Sequence, residues 1–244
     1  MKLKKVFQRK ETKYLLTQEQ FTLFFEELQH YMEIDEYGLH TILSLYFDTE
    51  DFRFIQKSMQ KPKYKEKFRV RSYGVPRQET PVFLEIKKKV KGIVYKRRVA
   101  TPYNTYTNWL HEKTFKETAE AAPTQIEKEI NWLFKKNKDL EPRVLIAYDR
   151  LSMFTEEDSE FRVTFDQKIR FRSTKLDLMM GSGGELVAPE IGVLMEVKAM
   201  GAYPLWFVHL LNKHAVRKGS FSKYAETYKR HLFTRTQEEE NYVV

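Results

Sequence analysis

The stretch Lys61-Pro-Lys-Tyr-Lys-Glu-Lys-Phe-Arg-Val-Arg71 places a base on every second residue: Lys61, Lys63, Lys65, Lys67, Arg69 and Arg71. Residues two apart share a face in a β-strand, so this spacing predicts a strand with a ladder of cations along one side. Tyr64, Phe68 and Val70 fall on the other side, which is partly apolar.

The same split recurs along the chain. Strands are predicted over 6–14, 41–48, 64–73, 81–90, 92–100, 143–151, 160–166 and 191–199, rich in Val, Ile, Phe and Tyr. Glu85 and Lys87 oppose Leu84, Ile86 and Val90; Lys96 and Arg98 oppose Tyr95 and Val99. Arg162, Thr164 and Asp166 alternate with Phe161, Val163 and Phe165, and Glu196 and Lys198 with Met195 and Val197. Arg9, Glu11 and Lys13 share a face, as do Tyr148 and Arg150. Lys91-Gly92 between two strands reads as a tight hairpin turn.

Helices are expected between these runs. Thr17 with Gln20, and Thr124 with Glu127, form capping-box patterns, the second followed by Ile126, Ile130, Leu133 and Phe134 at helical spacing. Residues 49–59 form another helix, and Pro204 suits the first turn of one bearing Phe207, Leu210 and Leu211. A last helix starts near Ser222. Trp109, Trp132 and Trp206 lie on predicted helices and read as core. Gly181-Ser-Gly-Gly184 lacks the Lys-Ser/Thr of a phosphate loop and reads as a plain loop.

Any one strand of this kind is most simply an amphipathic strand with its charges in water. The set reads differently, because solvated faces usually mix both signs, whereas these faces are dominated by Arg and Lys. If helices cover the apolar faces, the polar faces line an interior. Bases at that density repel one another unless a polyanion neutralises them. The reading is an α+β chain whose eight antiparallel strands form a barrel, helices packed outside, with a tunnel for a phosphate-rich ligand. Alternation alone does not separate a barrel from a sandwich. Residues 1–235 are expected to form a single catalytic domain and residues 236–244 a disordered tail.

Composition narrows the chemistry. The chain has 244 residues and a formal charge of 43 − 34 = +9, which favours an anionic partner. It has no cysteine, excluding disulfides, thiolate zinc sites and cysteine catalysis. That fits a reducing compartment, and a cytoplasmic location is expected, with membrane association only through a partner. No apolar run approaches the roughly 18 residues of a membrane span, and the N-terminus lacks a secretory apolar stretch. The six histidines show no metal-ligand spacing, and no Ser-His-Asp grouping is visible.

Three acids interrupt the ladders. Glu11, Glu85 and Glu196 are each followed two residues later by a lysine, Lys13, Lys87 and Lys198. Their simple role is local ion pairing; their sharper role is to hold a divalent cation, since hard cations prefer carboxylate oxygen and bridge to phosphate. Pairing is the reading for Glu85 and metal binding for Glu196, with Glu11 or Glu85 as alternative ligands.

Eight segments, in order over nearly the whole chain, are similar to one family: Glu11-Thr-Lys13-Tyr14, Phe68-Arg69-Val-Arg71-Ser-Tyr-Gly74, Phe83-Leu-Glu85-Ile-Lys87, Tyr95-Lys96-Arg-Arg98, Tyr148-Asp-Arg150, Phe161-Arg162-Val-Thr-Phe-Asp166, Leu194-Met-Glu196-Val-Lys198 and Phe221-Ser222-Lys223-Tyr224. They resemble the CYTH-type triphosphate tunnel metalloenzymes, and within them the polyphosphate polymerase domain of the vacuolar transporter chaperone family. One departure stands out. The superfamily's hydrolases open with Glu-x-Glu-x-Lys, where this chain reads Arg9-Lys10-Glu11-Thr12-Lys13. The base in place of the first acid is similar to the polymerase branch. The chain is expected to be the catalytic domain standing alone, without the regulatory domain and membrane spans of eukaryotic relatives.

The resemblance implies transfer of the ATP γ-phosphate to the end of a growing polyphosphate chain, with Mn²⁺ or Mg²⁺ as cofactor and ATP and polyphosphate as partners. Phosphoryl transfer rests on positioning and charge neutralisation more than on a covalent nucleophile. On this reading Arg69, Arg71, Arg150 and Arg162 offer forks to non-bridging oxygens and Lys13, Lys87, Lys96 and Lys223 offer point charges. Arg98, Lys198 and Ser222 complete the phosphate-binding set. Glu196 would hold the metal, and Tyr148 is a candidate for the nucleotide base.

Two rivals remain. A triphosphatase of the same fold would position water instead of an acceptor phosphate; Arg9 counts against it. A non-catalytic polyphosphate- or nucleic-acid-binding module is the other. Nucleic-acid platforms interleave aromatics with bases on one face, and here the aromatics mostly take the opposite face, so no nucleic acid is expected.

Overall fold

A computed structural model describes residues 10–91, 93–117, 121–155 and 160–233. Residues 6–9 of the first predicted strand, with Arg9, lie outside them, as do Gly92 of the predicted turn and the predicted tail. In chain order the elements are β1 (Lys10–Leu16), α1 (Gln18–Leu28), β2 (Glu33–Ile34), β3 (His40–Asp48), α2 (Arg53–Met59), β4 (Tyr64–Tyr73), β5 (Pro81–Val90), β6 (Ile93–Pro102), α3 (Tyr103–Glu112), α4 (Gln125–Lys136), β7 (Glu141–Phe154), β8 (Arg162–Arg172), β9 (Glu185–Leu186), β10 (Val193–Ala199), α5 (Leu205–Lys213) and α6 (Lys223–Thr227). A 3₁₀ turn spans Leu178–Met180, and a π-helical turn, Tyr228–Leu232, continues α6. The chain is α+β with antiparallel strands, as expected. Among the described residues the strands number ten rather than eight, the additions being the two-residue β2 and β9.

The chain falls into two compact units. The first draws on residues 1–40, 148–169 and 188–222. Its strands pair in the order β1-β10-β8-β7, with β2 added to β7. The apolar face packs under α1 and α5, where Phe165 meets Phe21, Phe24 and Phe25 edge-on and Phe24 meets Phe207. The Thr17–Gln20 capping box starts α1 as predicted. A β-carbon at Gly192 would lie 2.5 Å from the Gln18 amide nitrogen, so only glycine lets β10 begin so close to α1.

The second unit draws on residues 41–147, 170–187 and 223–244. Its strands pair in the order β7-β3-β4-β5-β6. The apolar face carries Phe68 and Ile86 beneath Tyr106 and Trp109 of α3 and Ile130, Leu133 and Phe134 of α4. Phe68 lies 5.0 Å from the Phe134 ring, edge-on. Trp132 departs from its predicted core role. It sits off the buried stripe of α4, 51% exposed, with Lys136 Nζ 4.9 Å from its ring. The predicted helix over 49–59 shortens to α2. Phe52 is left-handed (φ 54°) and Asp48 accepts from the Phe54 and Ile55 amides, so the turn begins later than the spacing indicates. In the Gly181–Gly184 loop, Arg172 Nη1 donates to the Gly181 and Gly183 carbonyls, a structural role.

Among the described residues the strands share one hydrogen-bonded path, β1-β10-β8-β7-β3-β4-β5-β6, whose end strands do not pair, so the path is open and hydrogen bonds do not close the expected barrel.

Candidate functional site

The polar face of the second unit is a grid set by strand register. Tyr46, Arg69, Glu85 and Arg98 form one row across β3–β6. The next row holds Lys67, Lys87 and Lys96, and beyond it Lys65 lies opposite Lys89. On the other side Ser44 faces Arg71, and Arg71 faces Phe83. Directly opposed residues share a face. The face of β4–β6 thus carries bases at 65, 67, 69, 71, 87, 89, 96 and 98 and a single acid, Glu85.

Glu85 is 1% exposed and is claimed from several sides. Arg69 donates through Nε and Nη2, both at 2.7 Å, Lys96 Nζ lies 2.9 Å away, and Arg71 Nε 4.0 Å. Burial pushes the carboxyl up, but Arg69, Arg71 and Lys96 outweigh it and hold it down to about 2. Glu85 is thus ion-paired, though the partners named here come from neighbouring strands and not from Lys87, two residues on, as the spacing predicts. Directly opposite side chains are nearer than residues two apart on one strand.

One carboxylate leaves the grid strongly cationic. Burial lowers the Lys67 ammonium, and although Tyr46 pulls the other way, Lys65, Lys87 and Arg69 add to the fall, to about 8. Tyr46, 7% exposed, responds in kind. Burial raises its phenol, but Arg69, Arg71 and Lys67 prevail and bring it to about 8. The Tyr46 shift reports a positive field at Lys67–Arg71, whereas the Lys67 shift comes first from burial. Arg98 lies over the Phe83 ring at 4.7 Å.

The polar face of the first unit has another balance. Lys13 lies opposite Glu196, which lies opposite Thr164; Glu11 lies opposite Lys198, which lies opposite Arg162. Arg150 grips the fully buried Asp166 through Nε at 2.6 Å and Nη2 at 2.7 Å, and Nη2 reaches Glu196 Oε2 at 3.3 Å. Lys13 Nζ reaches Glu196 Oε1 at 3.1 Å and donates to the Phe221 carbonyl at 2.8 Å. Bases Lys13, Arg150, Arg162 and Lys198 thus meet acids Glu11, Asp166 and Glu196. Burial lowers the Lys198 ammonium, with Glu196 opposing and Arg150 reinforcing the shift.

The predicted residues thus gather into two sets. Arg69, Arg71, Lys87, Lys96, Arg98 and Glu85 share the grid of the second unit. Lys13, Arg150, Arg162, Lys198, Glu11 and Glu196 share the face of the first. Ser222 follows Phe221 in the first, and Lys223 opens α6 in the second. Two placements alter the expected roles. The Nε–Nη2 edge of Arg150, expected to fork a phosphate, is engaged by Asp166. Tyr148, expected near a nucleotide base, is 2% exposed with Arg150 5.2 Å from its ring centre, so its ring seats Arg150. Sequence reasoning passed over Tyr46 and the pairing of Asp166, and named Lys67 and Tyr224 without giving either an individual role. Lys67 stood in the alternating ladder; Tyr46 shares its strand face with Ser44 and Asp48, a signal the apolar neighbours Leu45 and Phe47 masked.

A divalent cation can be tested against these donors. Among the described residues no three His, Cys, Asp or Glu side chains cluster as a metal cage. Glu196 is held on the polar face by Lys13 and Arg150. One carboxylate of this kind is a donor that a hard cation such as Mg²⁺ accepts, and Glu196 is the residue that would hold it. No described helix is long and apolar enough to cross a membrane.

Comparison with known families matches residues 8–232 to the VTC domain. The curated proteins give no match. Among solved structures, the chain is similar to a putative adenylyl cyclase from Hippeastrum described as having a dominant triphosphatase activity. Identity is 12%, the match covers 90% of this chain and 94% of that one, and the TM-score is 0.52. A second similarity is to the Mediator head module of Schizosaccharomyces pombe, at 11% identity, 84% and 88% coverage and a TM-score of 0.43.

Proposed function

The chain belongs to the VTC domain family, and on that premise we propose that it is a phosphoryl-transfer enzyme that moves the ATP γ-phosphate onto a growing polyphosphate chain. The observation that carries this reading is the grid on β4–β6, with one acid among its bases. A linear polyphosphate brings roughly one charge per phosphate, the ligand shape that a row-by-row cationic grid neutralises. In the finer form of the proposal the polar faces of the strands line a tunnel, and residues 1–235 form a single catalytic domain.

Each residue then has a task. Arg71 offers a planar donor to non-bridging oxygens, Arg69 offers the N–H groups that Glu85 and Tyr46 leave over, since its Nε–Nη2 edge is held by Glu85, and Lys67, Lys87 and Lys96 supply charge along the chain. Arg98 extends that row, and Lys223, at the start of α6, adds a base in the same unit. In the other unit Lys13, Arg162, Lys198 and Ser222 bind phosphate, while Arg150, held by Asp166, fixes the direction of Glu196. Glu196 would hold Mn²⁺ or Mg²⁺, which when bound supplies positive charge to the transferring phosphates. The nucleophile is the terminal phosphate oxygen of the acceptor, so no serine or cysteine nucleophile is required.

Incubation with ATP and Mn²⁺, with products resolved by size, tests the reading. Long-chain polyphosphate supports it. Orthophosphate alone would show a triphosphatase, the activity described for the Hippeastrum protein. Neither product, with tripolyphosphate still bound, would show a binding module.

A further inference from the structure

The polar side of β3 is a row of anchors within the second unit. Ser44 accepts from Arg71 Nε at 3.4 Å, and Tyr46 accepts from Arg69 Nη1 at 3.1 Å. Asp48 accepts from the Tyr224 hydroxyl at 2.8 Å. Tyr224, on α6, stacks on Tyr46 with ring centres 4.6 Å apart and planes 23° from parallel. Asp48 is fully buried and also receives the Phe54 and Ile55 amides, so it is a rigid post. A continuous chain therefore runs Asp48–Tyr224–Tyr46–Arg69–Glu85.

We propose that Tyr46 is a positioning residue, which locks the Arg69 guanidinium in the orientation that meets a phosphate chain. Glu85 takes Nε and Nη2, and Tyr46 takes Nη1, so all three nitrogens of Arg69 are tied. A guanidinium held this way need not be ordered when the anion arrives, and pre-ordering raises affinity without adding a contact. The Tyr224 stack keeps the phenol from swinging off its partner. The inference rests on reading this face as phosphate-binding. The charged and titratable groups around Tyr46 are Lys67, Arg69 and Arg71 on β4 and Tyr224 on α6, with Asp48 on its own strand. Ionising the phenol would set an anion beside Arg69, opposing a phosphate.

Tyr46→Phe is the test, because it keeps the ring and its stack and removes only the oxygen. Binding of inorganic tripolyphosphate is measured by calorimetry at pH 7 and pH 9, together with the melting temperature. The expected result is affinity about fivefold weaker at pH 7, the worth of one hydrogen bond, with melting unchanged within about 2 °C. The loss of affinity from pH 7 to pH 9 should be shallower than in the wild type, since Lys67 titrates in both and the phenol in one. Wild-type protein that binds while Tyr46→Phe matches it in affinity and pH slope overturns the positioning role alone. Wild-type protein that does not bind tripolyphosphate overturns the phosphate reading and this inference with it.

Discussion

Arg69 stands directly opposite Glu85 in the β4–β5 register and donates to the same carboxylate oxygen through Nε and Nη2, both at 2.7 Å. This contact makes the single acid of the grid a counterion for a cationic surface, and its energetics can be read from pH. The folded carboxyl is held at about 2 against an ordinary 4.5. A depressed acid stabilises the fold above its unfolded pKa and loses that contribution as pH falls through the folded one. The wild type should therefore lose on the order of 3 kcal/mol between about pH 4.5 and pH 2. Glu85→Gln should be less stable at pH 7 and show a flatter acid limb by urea titration. Parallel acid limbs in the two proteins would remove the counterion role.

Glu196→Gln keeps the size of the side chain and removes the charge proposed to hold the metal. Turnover with ATP and Mn²⁺ should fall by about two orders of magnitude. Metal-free tripolyphosphate binding should persist or tighten slightly, because the face gains one positive charge. If Glu196 serves only Lys13 and Arg150, synthesis would stay near wild type and only the melting temperature would drop.

Arg71→Ala should behave differently from Glu196→Gln, since it removes a phosphate donor while Arg69 and Lys96 still hold Glu85. Tripolyphosphate affinity should weaken by about tenfold and turnover should fall with it. In the wild type, tripolyphosphate should raise the melting temperature well above the shift from equimolar orthophosphate, because a longer anion spans several rows. Equal shifts from both ligands would refute an extended site.

Lys67 is expected to take up protons when the anion binds. Its ammonium is held near 8 by burial and neighbouring bases, and a bound polyphosphate reverses that field. Calorimetry at pH 8 in buffers of differing ionisation enthalpy should show fewer protons taken up by Lys67→Arg than by the wild type. Without ligand the slope has the same sign as that of Glu85, stability rising with pH, but at neutral pH Lys67 costs stability where Glu85 adds it. A lysine depressed in the fold leaves the unfolded chain with more bound protons, so its contribution to stability rises from about pH 8 toward 10.5. Identical proton counts in both proteins would exclude Lys67 from the site.

The sequence by itself determined which side chains share a face. The pleat alternates locally, so Lys65, Lys67, Arg69 and Arg71 could be assigned to one side of β4 and Phe68 and Val70 to the other without knowing any neighbour. The capping boxes at Thr17 and Thr124 were legible for the same reason, their bonds spanning three residues. Only the tertiary structure decided who meets whom. Glu85 draws Arg69 from β4 and Lys96 from β6, Asp166 takes the fork of Arg150, and Tyr224 reaches back across 176 residues to Asp48. Strand order sets those meetings, and no local period encodes strand order. The same non-local pairing separates a grid with one acid among its bases from a face where carboxylates nearly balance the cations, two surfaces that look alike when each strand is read alone.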